Sequence, residues 1–214
     1  MAQFFSIHAS HPQSRLVRQA AEIIRKGGLI AYPTDSCYAL GCHIGDANAL
    51  ERIRQVRGID EKHHLTLMCK DLSEIAIYAI VDNTQFRLLK SLTPGSYTFI
   101  LRATREVPKR LMHPKRRSIG VRITSHRVAQ ALLTELAEPM LSATVLLPGE
   151  MEPPSDPAVI RSKLEHSVDL VVDGGFCGTT PTTILDLTEK SPRLVRAGAG
   201  AFDAIRDLRT DEVD

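Results

Sequence analysis

The run Gly27-Gly28-Leu29-Ile30-Ala31-Tyr32-Pro33-Thr34-Asp35-Ser36-Cys37-Tyr38-Ala39-Leu40-Gly41 decides how this chain folds. Its leading glycines end whatever precedes them, because glycine enters the left-handed conformation that closes a helix without steric cost. Leu29-Ile30-Ala31-Tyr32 is short, apolar and stopped by Pro33, which is the pattern of a buried strand running out into a loop. From Pro33 to Gly41 the chain reads as a polar loop in which Thr34, Asp35 and Ser36 offer two hydroxyls and a carboxylate beyond a strand end. Ligands of α/β proteins collect at such loops. The same three residues equally suit a turn or a helix cap.

Working outward, Leu16, Ala20, Ile23 and Ile24 recur at helical spacing behind Ser14 as a candidate N-cap. Downstream, Asp46 caps a second helix in which Leu50, Ile53 and Val56 are interleaved with Arg52, Arg54 and Arg57. The alternation continues with a strand at 65–69, helices near 72–80 and 83–92, strands at 97–101 and 119–123 and a helix at 126–137. A strand at 140–147, a helix near 157–165 and strands at 168–172, 182–187 and 193–196 complete it. This order predicts an α/β fold: one domain with a twisted mixed parallel/antiparallel sheet and flanking helices. Residues 1–14 read as an N-terminal extension, 15–200 as the domain and 201–214 as a charged tail.

Composition narrows the function classes. The 214 residues are 43% hydrophobic and 24% charged, which excludes a disordered or collagen-like chain. The longest continuous apolar stretch, 75–81, falls far short of the ~20 residues of a membrane span. His8 and His11 interrupt the place where a secretory signal would need an apolar core, so a cytoplasmic protein with no membrane partner is expected. Cys37, Cys42, Cys69 and Cys177 form no Cys-x-x-Cys pair and read as buried free thiols. Walker, nucleophile-elbow and zinc-protease motifs are all missing, and no tightly bound metal is expected. Gly198 and Gly200 read as turn glycines.

Lys plus Arg number 27 against 25 Asp plus Glu, a net +2, so a basic function must come from clustering. One cluster stands out: Arg102, Arg105, Lys109, Arg110, Lys115, Arg116 and Arg117 are opposed locally only by Glu106. The last six are candidate RNA contacts, although such a run equally makes a solvated surface. Arg122 and Arg196 sit within apolar strands, where a guanidinium needs either a buried ion pair or an anionic ligand. His63-His64, next to Lys62, can place one imidazole toward a site, since neighbours on a strand face opposite ways.

Taken in order, several segments resemble the YrdC family, and its YciO-like branch in particular. They are Pro33-Thr34-Asp35 with Gly41, Pro94-Gly95-Ser96-Tyr97-Thr98-Phe99, Val121-Arg122, Pro139-Met140-Leu141-Ser142, Asp173-Gly174-Gly175 and Thr182-Thr183-Ile184-Leu185-Asp186. The resemblance implies a sheet with a basic concave face, and threonylcarbamoyl-AMP synthesis from threonine, bicarbonate and ATP for tRNA modification. It also implies double-stranded RNA binding and magnesium on the ATP phosphates. Carried over by position, Arg57 and Arg122 would be catalytic, Thr34, Ser142 and Thr182 would hold threonine or its carbamate, and Thr144 and Arg196 would face the nucleotide. The sequence departs from the family pattern twice. Gln55-Val56-Arg57-Gly58 stands where Lys-x-Arg-Pro is usual, and Leu146 stands where an asparagine ends the Ser-x-Asn motif. Lys62, in a loop about two residues longer than usual, is then a candidate nucleotide contact that restores the lost charge. Two other readings remain open: a non-catalytic RNA-binding module, and an adenylate-forming enzyme for another carbamoyl or acyl substrate.

Overall fold

The strands alternate strictly between two apolar cores. Ala31, Leu40, Leu67, Phe99, Leu101, Val121, Leu141, Val171 and Leu185 face the larger core, whereas Ile30, Tyr32, Ala39, Met68, Met140, Leu170 and Val172 face the smaller one. This period of two makes one sheet with two unlike faces. The computed structural model describes residues 1–60, 63, 65–189 and 191–201. Lys62, His64 and 202–214 of the charged tail lie outside the described residues.

In chain order the elements are β1 (Gln3–Ser6), α1 (Ser14–Arg25), β2 (Ile30–Tyr32), β3 (Ala39–His43), α2 (Ala47–Arg57), β4 (Thr66–Met68), α3 (Leu72–Tyr78), β5 (Ala79–Ile80) and α4 (Asn83–Leu92). Then follow β6 (Tyr97–Ala103), β7 (Ser118–Arg122), α5 (Arg127–Leu136), β8 (Met140–Thr144), α6 (Pro157–Leu164), β9 (Leu170–Asp173), β10 (Thr183–Asp186) and β11 (Arg193–Arg196). The sheet runs β1-β9-β2-β3-β8-β4-β7-β6-β10-β11, with β5 pairing β6 off this path. Pairs β1·β9, β2·β9, β4·β7 and β6·β10 are parallel and the rest antiparallel, so the expected mixed sheet in a single domain is found.

Five sequence expectations change. Gln3–Ser6, read as an extension, forms an edge strand in register with β9. The last third of the loop expected over 33–41 belongs to β3, a central strand; Gly41 fits there because the Tyr32 ring would lie 2.7 Å from a Cβ at that point. The helix expected over 72–80 stops at Tyr78, and Ala79–Ile80 pairs β6 instead. The strand expected over 140–147 ends at Thr144. Ser14 is the first helical residue, and Gln13 holds the cap position without a side-chain bond.

The distribution of helices creates the site. Val17, Ala20, Ala21 and Ile24 of α1 and Val128, Ala129, Leu132, Leu133 and Leu136 of α5 cover the smaller core, over β1, β9, β2, β3 and the near ends of β8 and β4. On the same face, β6 and β7 carry Thr98 and Arg122, and Thr182 stands immediately before β10. A sheet face without helix cover must present polar groups or await a ligand, and this half does the first.

Candidate functional site

A cavity of about 290 Å³ opens on that uncovered half. Its described walls include Arg57, His63, Thr98, Arg122, Ser142, Thr144, Leu146, Thr182 and Arg196, and no carboxylate side chain is among them. Six of the candidate site residues, Arg57, Arg122, Ser142, Thr144, Thr182 and Arg196, therefore meet in space although they come from α2, β7, β8, β11 and the approach to β10.

Arg57 is placed by the two ends of α2. Asp46 accepts from the Ala49 amide at 2.8 Å, and Gly58 ends the helix at φ 61°, pressed so close to Pro148 that a Cβ would come within 2.9 Å of its ring. This seat brings the Arg57 guanidinium to the Leu146 carbonyl, to which Nη1 donates at 2.5 Å. The Arg57 Nε is buried and has no partner among the described residues. Loss of solvent and then the neighbouring Arg196 charge draw the Arg57 pKa down, so its cation is held against an opposing environment. Gln55 faces solvent, whereas Leu146 lines the cavity.

Arg122 is only 5% exposed. Its Nη2 donates to Asp35 Oδ1 at 2.5 Å, Ser36 Oγ at 3.0 Å and Thr34 Oγ1 at 3.3 Å, while its Nε is buried without a partner among the described residues. Of the two alternatives for an arginine in an apolar strand, the buried ion pair is the one found. Burial disfavours the Asp35 carboxylate, but the Arg122 charge and the Thr124 hydroxyl outweigh it and hold its pKa below the usual range. The polar run after Pro33 serves as turn and anchor at once, with Thr34 Oγ1 donating to the Cys37 carbonyl at 2.6 Å.

Hydroxyls fill the floor. Tyr32 Oη and Ser142 Oγ lie 2.8 Å apart, and burial pushes the tyrosine up to about 12, so the phenol stays protonated. Thr182 and Thr98 pair through their hydroxyls at 2.9 Å. The Thr182 carbonyl accepts from Arg196 Nη2 at 2.9 Å and Nε at 3.2 Å. Gly198 allows this close approach, since a Cβ there would meet the Pro181 and Thr182 carbonyls at 2.2 and 2.5 Å. Cys37 also lines the cavity, but burial pushes its thiol up to about 11, and all four cysteines are free. A thiolate nucleophile is not poised here.

Sequence reasoning missed the pairing of Asp35 with Arg122 and the role of Thr98. The second had a signal, because Thr98 interrupts an otherwise apolar strand at period two. Of the histidine doublet, His63 lines the cavity. The basic run mixes exposed cations with buried apolar residues. Val107 and Leu111 within it are buried in the larger core, Arg110 reaches the Gly45 carbonyl, and Arg116 reaches Asp186 at 3.3 Å. Arg105, Lys109, Lys115 and Arg117 are exposed. No helix is long and apolar enough to cross a membrane, and no cluster of metal-binding side chains occurs among the described residues.

A half-covered α/β sheet whose bare face gathers guanidinium groups and hydroxyls has the chemistry to hold anions. A family model described as Sua5_yciO_yrdC, Telomere recombination, matches residues 22–198, and the chain belongs to that family. The chain is 56% identical over 200 residues to the uncharacterized protein YciO of Escherichia coli, covering 94% of this chain and 97% of that one. The crystal structure of Escherichia coli YciO superposes with a TM-score of 0.93 at 54% identity, covering 95% of this chain and 99% of the other. A threonylcarbamoyl-AMP synthase of Halorhodospira halophila is 31% identical over 172 residues, covering 79% of this chain and 89% of that protein. The YrdC-like reading, its YciO-like branch and the relationship to threonylcarbamoyl-AMP synthases are thereby established.

Proposed function

We propose that the chain joins AMP to a carbamate or carboxylate, as a weak or modified threonylcarbamoyl-AMP synthase linked to tRNA modification. One observation carries the reading: Arg57, Arg122 and Arg196 converge on a hydroxyl-lined cavity without a carboxylate among its described wall residues. Both reactants of such a step are anions, and bringing them together is the main barrier. The amine of threonine captures CO2 derived from bicarbonate, giving a carbamate and releasing a proton. A carbamate oxygen then attacks the α-phosphorus of ATP, the bond to the bridging oxygen breaks, and pyrophosphate leaves.

Arg122, half-neutralised by Asp35, suits a single carboxylate at the cavity wall, with Ser142, Thr34 and Thr182 around it. Arg57 and Arg196, with Thr144, suit the more highly charged phosphates. Magnesium belongs in this reading to the nucleotide, because Asp35 is already committed to Arg122 and Thr124. Purified protein is expected to release pyrophosphate from ATP only when threonine and bicarbonate are both present. Release with other amino or acyl acids but not threonine would keep the adenylate chemistry and change the substrate. Absence of release with every acid tried would remove the synthase reading.

RNA binding is a second reading, favoured by the exposed Arg102, Arg105, Lys115, Arg116 and Arg117 beyond the cavity's β6 and β7 wall. Reversing the charges at Arg116 and Arg117 together is expected to weaken binding of duplex RNA uniformly across sequences and to flatten its log-log salt dependence. An unchanged slope would place the contact elsewhere.

A further inference from the structure

His63 lies in the loop after α2 and shares the cavity wall with Arg57, Thr144, Leu146 and Arg196. Its amide donates to the Asp60 carbonyl at 3.2 Å, a bond between residues three apart in that loop, and the residue as a whole is exposed. Resting on the reading of this cavity as an anion site, we propose that His63 is its conditional cation: neutral in the free protein, it takes up one proton when a phosphate-type dianion is seated against Arg57 and Arg196. Affinity for such anions then rises as the pH falls.

The argument is one of linkage. In the free protein, desolvation against the cavity wall and the charges of Arg57 and Arg196 hold the His63 pKa below the ordinary imidazole value, with the Asp60 carboxylate pulling the other way. These are the charged groups that face it among the described residues. A dianion set against the two guanidinium groups cancels the repulsion they exert on an imidazolium and adds an attraction of its own. The His63 pKa must therefore rise on binding. By reciprocity, protonation of His63 must strengthen anion binding by the same factor. A fixed third cation would add the same affinity at every pH but would leave three uncompensated charges in the empty cavity. An imidazole avoids that cost by remaining neutral until the ligand arrives.

Sulfate is the probe of choice, because it stays a dianion across the whole imidazole range and adds no titration of its own. The His63 ring resonance, identified by its loss in His63→Gln, is titrated by NMR in sulfate and in chloride at matched ionic strength. In chloride its midpoint is expected below the usual value of about 6.5. Sulfate is expected to raise that midpoint by about one unit, so sulfate affinity is about tenfold tighter at the low-pH plateau than at the high one. In His63→Gln, sulfate still binds and the pH dependence flattens. The wild-type titration reads the effect even if the variant is poorly behaved, and the other histidines serve as internal controls. If sulfate shifts the amides of Thr144 and Arg196 while the His63 midpoint stays fixed, this proposal fails and the anion site stands. If those amides do not respond at any pH, both fail.

Discussion

Arg57→Ala is expected to lower pyrophosphate release by about a hundredfold or more while leaving the melting temperature of the free protein unchanged or slightly raised. The two halves of this result have one cause. In the free protein Arg57 is a cation held in a partly desolvated wall beside Arg196, with its Nε buried and unpartnered among the described residues. Its environment disfavours the charge, so relief of desolvation and like-charge repulsion offsets loss of the donation to the Leu146 carbonyl. In the transition state the same cation faces developing negative charge, where one preorganised donor is typically worth 10²–10³ in rate. Arg57→Lys keeps the charge but not the planar fork, and should recover only part of the rate. Arg196→Ala should lose activity less cleanly, because its two bonds to the Thr182 carbonyl also shape the wall. Calorimetric melting beside the pyrophosphate assay checks both halves. A fall in melting temperature parallel to the loss of rate would make Arg57 a structural residue and sink the idea that its charge is reserved for ligand.

Asp35→Ala is expected to do the opposite and cost about 3–5 kcal/mol of stability. The carboxylate is the counter-ion of a guanidinium that is only 5% exposed, and it accepts from Arg122 and from Thr124 Oγ1, each at 2.5 Å. It also receives a weaker contact from Ser96 Oγ at 3.3 Å, which ties the loop after β2 to the entry of β6. Without it a buried cation stands uncompensated, and the hydroxyls of Thr34 and Ser36 cannot replace a negative charge. The double variant Asp35→Ala with Arg122→Met, which leaves neither charge, should regain much of the stability but not the ligand binding. Acid unfolding carries the same signature. The Asp35 pKa is lower in the folded state than the usual 3.9 of an unfolded aspartate, so its stabilisation is complete above that value and is lost as the pH falls through the lowered one. Asp35→Asn should be less stable than wild type at neutral pH, and the difference should shrink on acidification. Urea unfolding across a pH series measures it, and a difference that stays constant with pH would show that the carboxylate's charge is not what matters.

In the proposed reading, stability and function fall on the same two arginines in unequal shares. Arg122 is locked by Asp35, Thr34 and Ser36 and so serves the fold as well as the site. The seat of Arg57 is fixed by the capping of α2 and the packing of Gly58 on Pro148, which leaves its charge to the proposed ligand. Such a division lets the site keep a strong field without the whole cost falling on folding.

The amino-acid sequence by itself determined the alternation of helices and strands, the Asp46 cap, the buried strand ending at Pro33 and the family that those residues resemble. These are local properties: period, caps and turn residues depend on neighbours a few positions away. It also marked Arg122 and Arg196 as anomalies, because a charge inside an apolar run needs a partner wherever the run ends up. Tertiary structure alone decided the rest. Gln3–Ser6 is a strand because β9 offers it a partner, and no local pattern announces a pairing across more than a hundred residues. Ala39–His43 is a central strand because β8 joins its free side, opposite β2. Leu146 turns its carbonyl to Arg57 because the chain leaves the sheet at Thr144. Val107 and Leu111 are drawn into the core from between the charges of the basic run. The cavity exists because α1 and α5 cover only half of one sheet face, a fact about the spatial order of strands that no window of sequence contains.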